Sequence, residues 1–276
     1  MSRIIRVFPR KTNATPDDEL VRFDVPGMFD EADEIHVSVA FEWDKARAEY
    51  LARQWESVAP VKIGGVAYGD PGGEFVPGMY LKKGYVITSR GCPNHCWFCR
   101  AWQNEGTIRE LQITDGYNVC DNNLLACSKE HQEKVFEMLL KQPERPRFTG
   151  GFEALRFTEY HAKWMAKLKP EVTMFAYDTP DDWEPLVAAS NILYGYNLLS
   201  GHNVRCYVLI GYRGDTIEKA EIRLKNTLSL GYMPFAMLYN LEQGREWKRF
   251  QREWANATII GSKMRKFSLD STTETS

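Results

Sequence analysis

Three of the chain's six cysteines lie within eight residues. Cys92, Cys96 and Cys99 in "SRGCPNHCWFCRAW" (89–102) have the spacing C-x3-C-x2-C. Gly91 and Pro93 favour a turn over a helix or strand, so one short loop can bring three thiolates to one face of a metal centre. A closed structural zinc site or an electron-transfer iron–sulfur site takes four protein ligands. Three ligands leave one position where a substrate or cofactor can bind. A zinc site completed by His95, Cys120 or Cys127 is a competing reading, and three inert buried thiols are another. A disulfide framework fits poorly with a chain of 276 residues that reads as cytoplasmic.

The elements that must position such a loop follow from periodicity. Ile35, Val37, Val39 and Phe41 alternate at period two, Ala48, Leu51, Trp55 and Val58 recur at helical spacing, and "VKIGGVAYG" is a second apolar run. This predicts a small N-terminal βαβ extension over 1–79. The Gly- and Pro-rich "YGDPGGEFVPG" (68–78) is read as its boundary. Beyond it, strand-like runs at 85–88, 117–125, 147–151, 172–178, 204–211 and 234–240 alternate with helical stretches. Caps are expected at Ser128, Thr158, Thr179 and Asp215. The class is α/β, with a core over 80–241 that is an open parallel sheet or a partial (β/α)6 TIM-like barrel. Such folds place their chemistry in the loops after the strands, and the cysteines follow the first one.

With the element order in place, the cysteine motif resembles that of the radical S-adenosylmethionine (radical SAM) enzymes. The pattern C-x3-C-x-aromatic-C is met by Cys92, Cys96, Phe98 and Cys99, and the resemblance covers 85–240. It implies a 4Fe-4S cluster on the three cysteines, with S-adenosylmethionine on the fourth iron. Reductive cleavage would give a 5'-deoxyadenosyl radical that abstracts hydrogen from a substrate the sequence does not name. It also implies a partial six-stranded β/α barrel and an external one-electron donor of the flavodoxin or ferredoxin type. Gly150, Gly151 and Glu153 look like the family's Gly-Gly-Glu motif, with Phe152 inserted before the acid and the segment on the third strand, not the second. The competing position is "CDNN", with Asp121, Asn122 and Asn123 after the second strand. Gly211 in "VLIGYRGDT" matches the family's fifth-strand glycine near the adenine, and Arg213 is a candidate for a carboxylate. Asp178 and Asn240, at strand ends, are candidate substrate contacts.

The N-terminal unit resembles a shortened version of the flavodoxin-like domain of cobalamin-dependent relatives. It contains no Asp-x-His-x-x-Gly segment, so no cobalamin is expected. In the C-terminal segment 242–276, Trp247, Phe250 and Trp254 share a helical face, and residues 242–267 hold seven Lys/Arg against three acids. Docking of this face on the core is favoured over stacking on nucleic acid. The net charge of −2 gives no electrostatic reason for strong non-specific binding to nucleic acid or membrane. No apolar run is long enough to span a bilayer, and the start "MSRIIRVFPRK" lacks a secretory pattern, so a cytoplasmic location is expected. The rivals to an enzyme are a non-catalytic zinc or iron–sulfur module and a nucleic-acid-binding protein using the basic aromatic helix.

Overall fold

A computed structural model describes residues 2–199, 202–240, 243–256 and 258–262. The polar tail "SLDSTTETS" lies outside the described residues. The chain packs as two compact units, 1–142 and 143–276.

The first unit opens with four parallel strands in the order β2-β1-β3-β4: β1 (Ile4–Val7), β2 (Val21–Arg22), β3 (Glu34–Ser38) and β4 (Val61–Gly64). Helix α1 (Lys45–Trp55) connects β3 to β4 and buries Ala48, Leu51 and Trp55 with Ile5, Val7, Ile35, Val37 and Val39. The expected βαβ unit is therefore part of a larger sheet. β1 and β2 were not legible because runs of four and two residues carry no period-two signal. What makes β1 a strand is its pairing with β3, Ile4 to Val7 against Glu34 to Val37. The Gly/Pro stretch at 68–78 is tied back to this sheet by Arg6, which is buried, pairs with Asp18 and donates to the carbonyls of Gly78 (2.8 Å) and Met79 (3.0 Å).

The same unit continues with β5 (Tyr85–Val86), β6 (Ser89–Arg90), α2 (Ala101–Glu105), β7 (Arg109–Glu110), β8 (Asn118–Val119) and α3 (Lys129–Leu140). β5 pairs in parallel with β8, and β6 pairs antiparallel with β7. The strands expected over 85–88 and 117–125 shrink to two residues each. The backbone leaves the ladder because the Asp121 carboxylate, not a neighbouring strand, takes the Thr88 N–H. Ser128 caps α3 as expected, accepting from the His131 N–H at 3.2 Å.

The second unit is a run of β/α repeats: β9 (Arg147–Phe152), α4 (Glu159–Leu168), β10 (Val172–Tyr177), α5 (Trp183–Gly195), β11 (Val204–Ile210), α6 (Ile217–Ser229), β12 (Met233–Leu238) and α7 (Arg245–Ala255). The strands are parallel and ordered as in the sequence, as helical crossovers between neighbours require. Phe148, Phe152, Phe157, Phe175 and Tyr232 interlock beneath them with ring centroids 4.7–6.3 Å apart. Thr158 and Thr179 start their helices as expected, with His161 Nδ1 and Asp182 Oδ2 reaching back to their N–H groups. Asp215 does not cap α6. Thr216 does, and Asp215 instead accepts both terminal nitrogens of buried Arg223 (3.0 and 2.7 Å) and the Gly211 N–H (2.9 Å). The aromatic face of α7 docks on β12, with Phe250 and Trp254 buried, as favoured from the sequence.

Candidate metal centre

Ser89 and Arg90 deliver the chain into the cysteine loop, and α2 carries it away. At Gly91 the backbone has φ +78°, and a side chain there would place its Cβ 2.2 Å from the carbonyl oxygen of Thr107. Only glycine fits. The loop is pinned by the Cys92 N–H on the Gly106 carbonyl (3.1 Å) and by two donors to the Cys96 carbonyl, the Cys99 N–H and the Trp102 indole N–H (both 3.1 Å). Cys92, Cys96 and Cys99 are all half-buried, and no disulfide joins any of the six cysteines.

Two of the three sulfurs face N–H donors. Asn123 Nδ2 lies 3.5 Å from Cys92 Sγ, and the Ala101 N–H lies 3.5 Å from Cys99 Sγ. Such bonds favour the thiolate and tune a metal bound to it. Phe98 is half-buried with its ring edge-on to Trp97 at 5.3 Å. Among the described residues, no three His, Cys, Asp or Glu side chains form a group that could hold a metal ion. The candidate fourth ligands of a zinc site are placed accordingly. Exposed His95 packs against Trp102, Cys120 contacts the Asn118 carbonyl at 3.7 Å, and burial pushes the Cys127 thiol up to about 12, which keeps it protonated.

Behind the loop lies a network that composition and spacing did not reveal. Asp121, 1% exposed, accepts from Thr88 N (2.6 Å), Thr88 Oγ1 (2.5 Å) and Ser89 Oγ (2.8 Å). Burial raises its carboxyl above the ordinary range, against the pull of those bonds. Asn122 donates to Glu105, whose side chain also takes the Gly91 N–H (3.0 Å) and Arg90 Nη1 (3.3 Å). Asp121 to Asn123 stood out in the sequence as polar residues in an apolar setting. Glu105 gave no signal, because nothing in the linear sequence says which loop a helical glutamate will face.

The remaining expected residues lie in the second unit. Gly150 and Gly151 are inside β9, not in a turn after it. Three residues, 149 to 151, stand against Met174 alone, a bulge that Gly151 accommodates with φ +99°. Glu153 follows the strand and pairs with Arg156 Nε at 2.7 Å. Gly211 has φ +72°, and a Cβ there would come within 2.8 Å of Leu238 and against Trp247, so close packing of β12 and α7 requires the glycine. Arg213 and Asn240 are exposed. Asp178 is half-buried at the carboxyl end of β10. Desolvation and the nearby Asp182 carboxylate lift its carboxyl to about 7, against a backbone bond from Leu209 and the charge of Arg223.

A cavity of about 970 Å³ opens in the first unit at the carboxyl ends of β1, β3 and β4. The strand order turns there, with β2 on one side of β1 and β3 and β4 on the other, which is where open parallel sheets bind ligands. Phe8, Val39, Phe75 and Ile87 line it beside the bidentate Arg10–Asp44 pair (2.9 and 2.8 Å), and it extends to Arg90, two residues before Cys92. Its lining histidine, His36, has Nδ1 2.5 Å from Tyr80 Oη, while Nε2 lies 3.2 Å from the Glu34 carboxylate without a hydrogen bond.

The α/β architecture has a counterpart among solved structures. The radical S-adenosylmethionine methyltransferase TsrM from Kitasatospora setae, with cobalamin and a [4Fe-4S] cluster bound, superposes with a TM-score of 0.61 at 12% identity, over 86% of this chain and 75% of TsrM. The chain thus shares its fold with a radical SAM enzyme. No protein-family model matches the sequence, and no curated protein matches it. Among the described residues, no helix is long and apolar enough to cross a membrane.

Proposed function

We propose that this chain is a radical SAM enzyme in which Cys92, Cys96 and Cys99 hold a 4Fe-4S cluster. The observation that carries the reading is the loop itself: three half-buried thiols on one glycine-hinged segment, two of them facing N–H donors, in a fold shared with TsrM. Each thiolate of such a cluster binds a different iron, so the sulfurs need not converge on the single point that one metal ion demands. When bound, the cluster would supply the electron that cleaves S-adenosylmethionine to a carbon radical. The half-buried loop leaves an open side for S-adenosylmethionine and for an external flavodoxin- or ferredoxin-type donor. Gly150, Gly151 and Glu153 at the β9 bulge, Gly211, Phe98 and Asn122 are the proposed S-adenosylmethionine contacts, in a partial six-stranded barrel. Glu153 would accept from the cofactor's amino group while sharing its carboxylate with Arg156. Asp178, with a carboxyl near 7, can hold or release a proton at its carboxyl oxygen near neutral pH.

The switch-point cavity favours a second cofactor. The expectation of no cobalamin rested on a short N-terminal unit and a missing Asp-x-His-x-x-Gly segment. The unit is instead a four-stranded parallel sheet, its cavity is at the upper end of small-molecule sites, and TsrM binds cobalamin. A corrinoid held there would lie beside the segment that leads into the cysteines.

The test is anaerobic reconstitution with iron and sulfide, with and without hydroxocobalamin, then reduction in the presence of S-adenosylmethionine. 5'-Deoxyadenosine reports radical cleavage, and S-adenosylhomocysteine reports methyl transfer. Either product in the native chain and neither in Cys99→Ala is expected. A native chain that takes up zinc in place of iron would overturn the reading.

A further inference from the structure

We propose that Asp121, Asn122 and Asn123, three consecutive residues after β8, are positioning residues that clamp the entry of the cysteine loop, from Thr88 to Cys92, and set the electronic character of the centre it holds. The inference rests on the cluster reading for its electronic part only.

The geometry places one contact on each part of the loop's entry. Asp121 holds the last two residues before the turn through Thr88 N, Thr88 Oγ1 and Ser89 Oγ. Asn122 orients Glu105, and Glu105 fixes Arg90 and the Gly91 N–H. Asn123 donates to the Cys92 sulfur. Because β5, β6 and β8 are two residues each, the backbone ladder near the loop is too short to hold it. Side-chain hydrogen bonds take over that task. A buried carboxylate costs desolvation, and here three donors offset part of it. Hydrogen bonds to cluster sulfurs are a principal control of cluster potential, so an N–H on Cys92 favours the reduced state.

This positioning role is additional to the S-adenosylmethionine contact proposed for Asn122. Asp121 acts on the path of the chain, Asn122 acts through Glu105, and Asn123 acts on the sulfur.

Two measurements on the full-length chain test this. In the protein without iron, hydrogen exchange of the segment 88–92 is compared between the native chain and Asp121→Asn. At least tenfold faster exchange there, with β10–β12 unchanged, is expected. In reconstituted protein, Asn123→Leu should lower the ratio of reduced to oxidised cluster about fivefold to tenfold when poised at the native midpoint, as befits loss of one bond to a charged sulfur, and Asn123→Gln should restore part of it. Exchange unchanged by Asp121→Asn would overturn the clamp. An unchanged ratio in Asn123→Leu at full iron content would overturn the electronic role. A native chain that holds no cluster would sink the proposed function and the electronic role with it, while the exchange result still decides the clamp.

Discussion

The cysteine-bearing segment of the first unit and the parallel β9–β12 sheet of the second both mix strands and helices, yet they are held by different forces. β9–β12 have six or seven residues each, long backbone ladders broken only at the β9 bulge, and an aromatic core in which Phe148, Phe152 and Phe175 are at most 2% exposed. Around Cys92 the strands have two residues, and the fold depends on a buried carboxylate, a half-buried glutamate–arginine pair and side-chain amides. Apolar packing is non-directional and tolerant, whereas hydrogen-bonded polar networks fix geometry but fail if one member is lost. The sheet supplies stability, and the loop region gives up part of it to place three thiols.

That contrast can be broken from either side. Phe175→Ala should destabilise the second unit by about 3–5 kcal/mol, read by chemical denaturation, because a fully enclosed ring leaves a cavity. Asp121→Ala should cost less, about 2–3 kcal/mol, since it strands donors on Thr88 and Ser89. It should nevertheless lower iron uptake on reconstitution more than Phe175→Ala does. If the two variants lose iron in proportion to stability alone, the division of labour is wrong. Gly91→Ala should cost roughly 1–2 kcal/mol for the left-handed backbone, with the clash on Thr107 adding to it, and should displace the cysteines. Its readout is iron bound per chain in protein that remains folded by circular dichroism.

A pH experiment sharpens the picture of the second unit. His161 titrates near 4 in the folded chain because burial disfavours its charged form, so between about pH 4 and its ordinary 6.5 the unfolded chain binds more protons. Its contribution to stability is lost as pH falls through that window. Asp178 acts in the opposite sense. Its carboxyl is near 7 when folded and near 3.8 when not, so the folded chain binds more protons and stability falls as pH rises from about 4 to 7. The two slopes oppose each other where the windows overlap. Asp178→Asn should expose the His161 slope, with stability rising from pH 4 to 6.5, and a midpoint that does not respond to the substitution would show that Asp178 is solvated. The smallest effect is expected on α7, where Arg249→Ala removes an exposed pair with Glu253 and should change stability by no more than about 0.5 kcal/mol.

Much of this molecule was legible before folding. The period-two run at Ile35–Phe41, the helical stripe at Ala48–Val58 and the β/α alternation from 147 to 240 are local patterns; the strands from 147 on appear within two residues of where those patterns place them, while β3 stops at Ser38 and α1 at Trp55, each three residues short. The caps at Ser128, Thr158 and Thr179 are equally local, since each is set within three residues. Asp215 was misread because its partner is Arg223 and not its own helix end.

The sequence by itself determined the cysteine spacing and the β/α alternation and favoured docking of the aromatic face of α7, because spacing and periodicity are properties of neighbours along the chain. Only the tertiary structure decided that β1 and β2 join the N-terminal sheet, that a cavity opens where its strand order turns, and that Asp121, Asn122, Asn123 and Glu105 gather around Cys92. These side-chain contacts join residues 14 to 33 positions apart. A hydrogen bond has no sequence signature at that range, and it exists only once packing has paid the entropy of bringing its partners together.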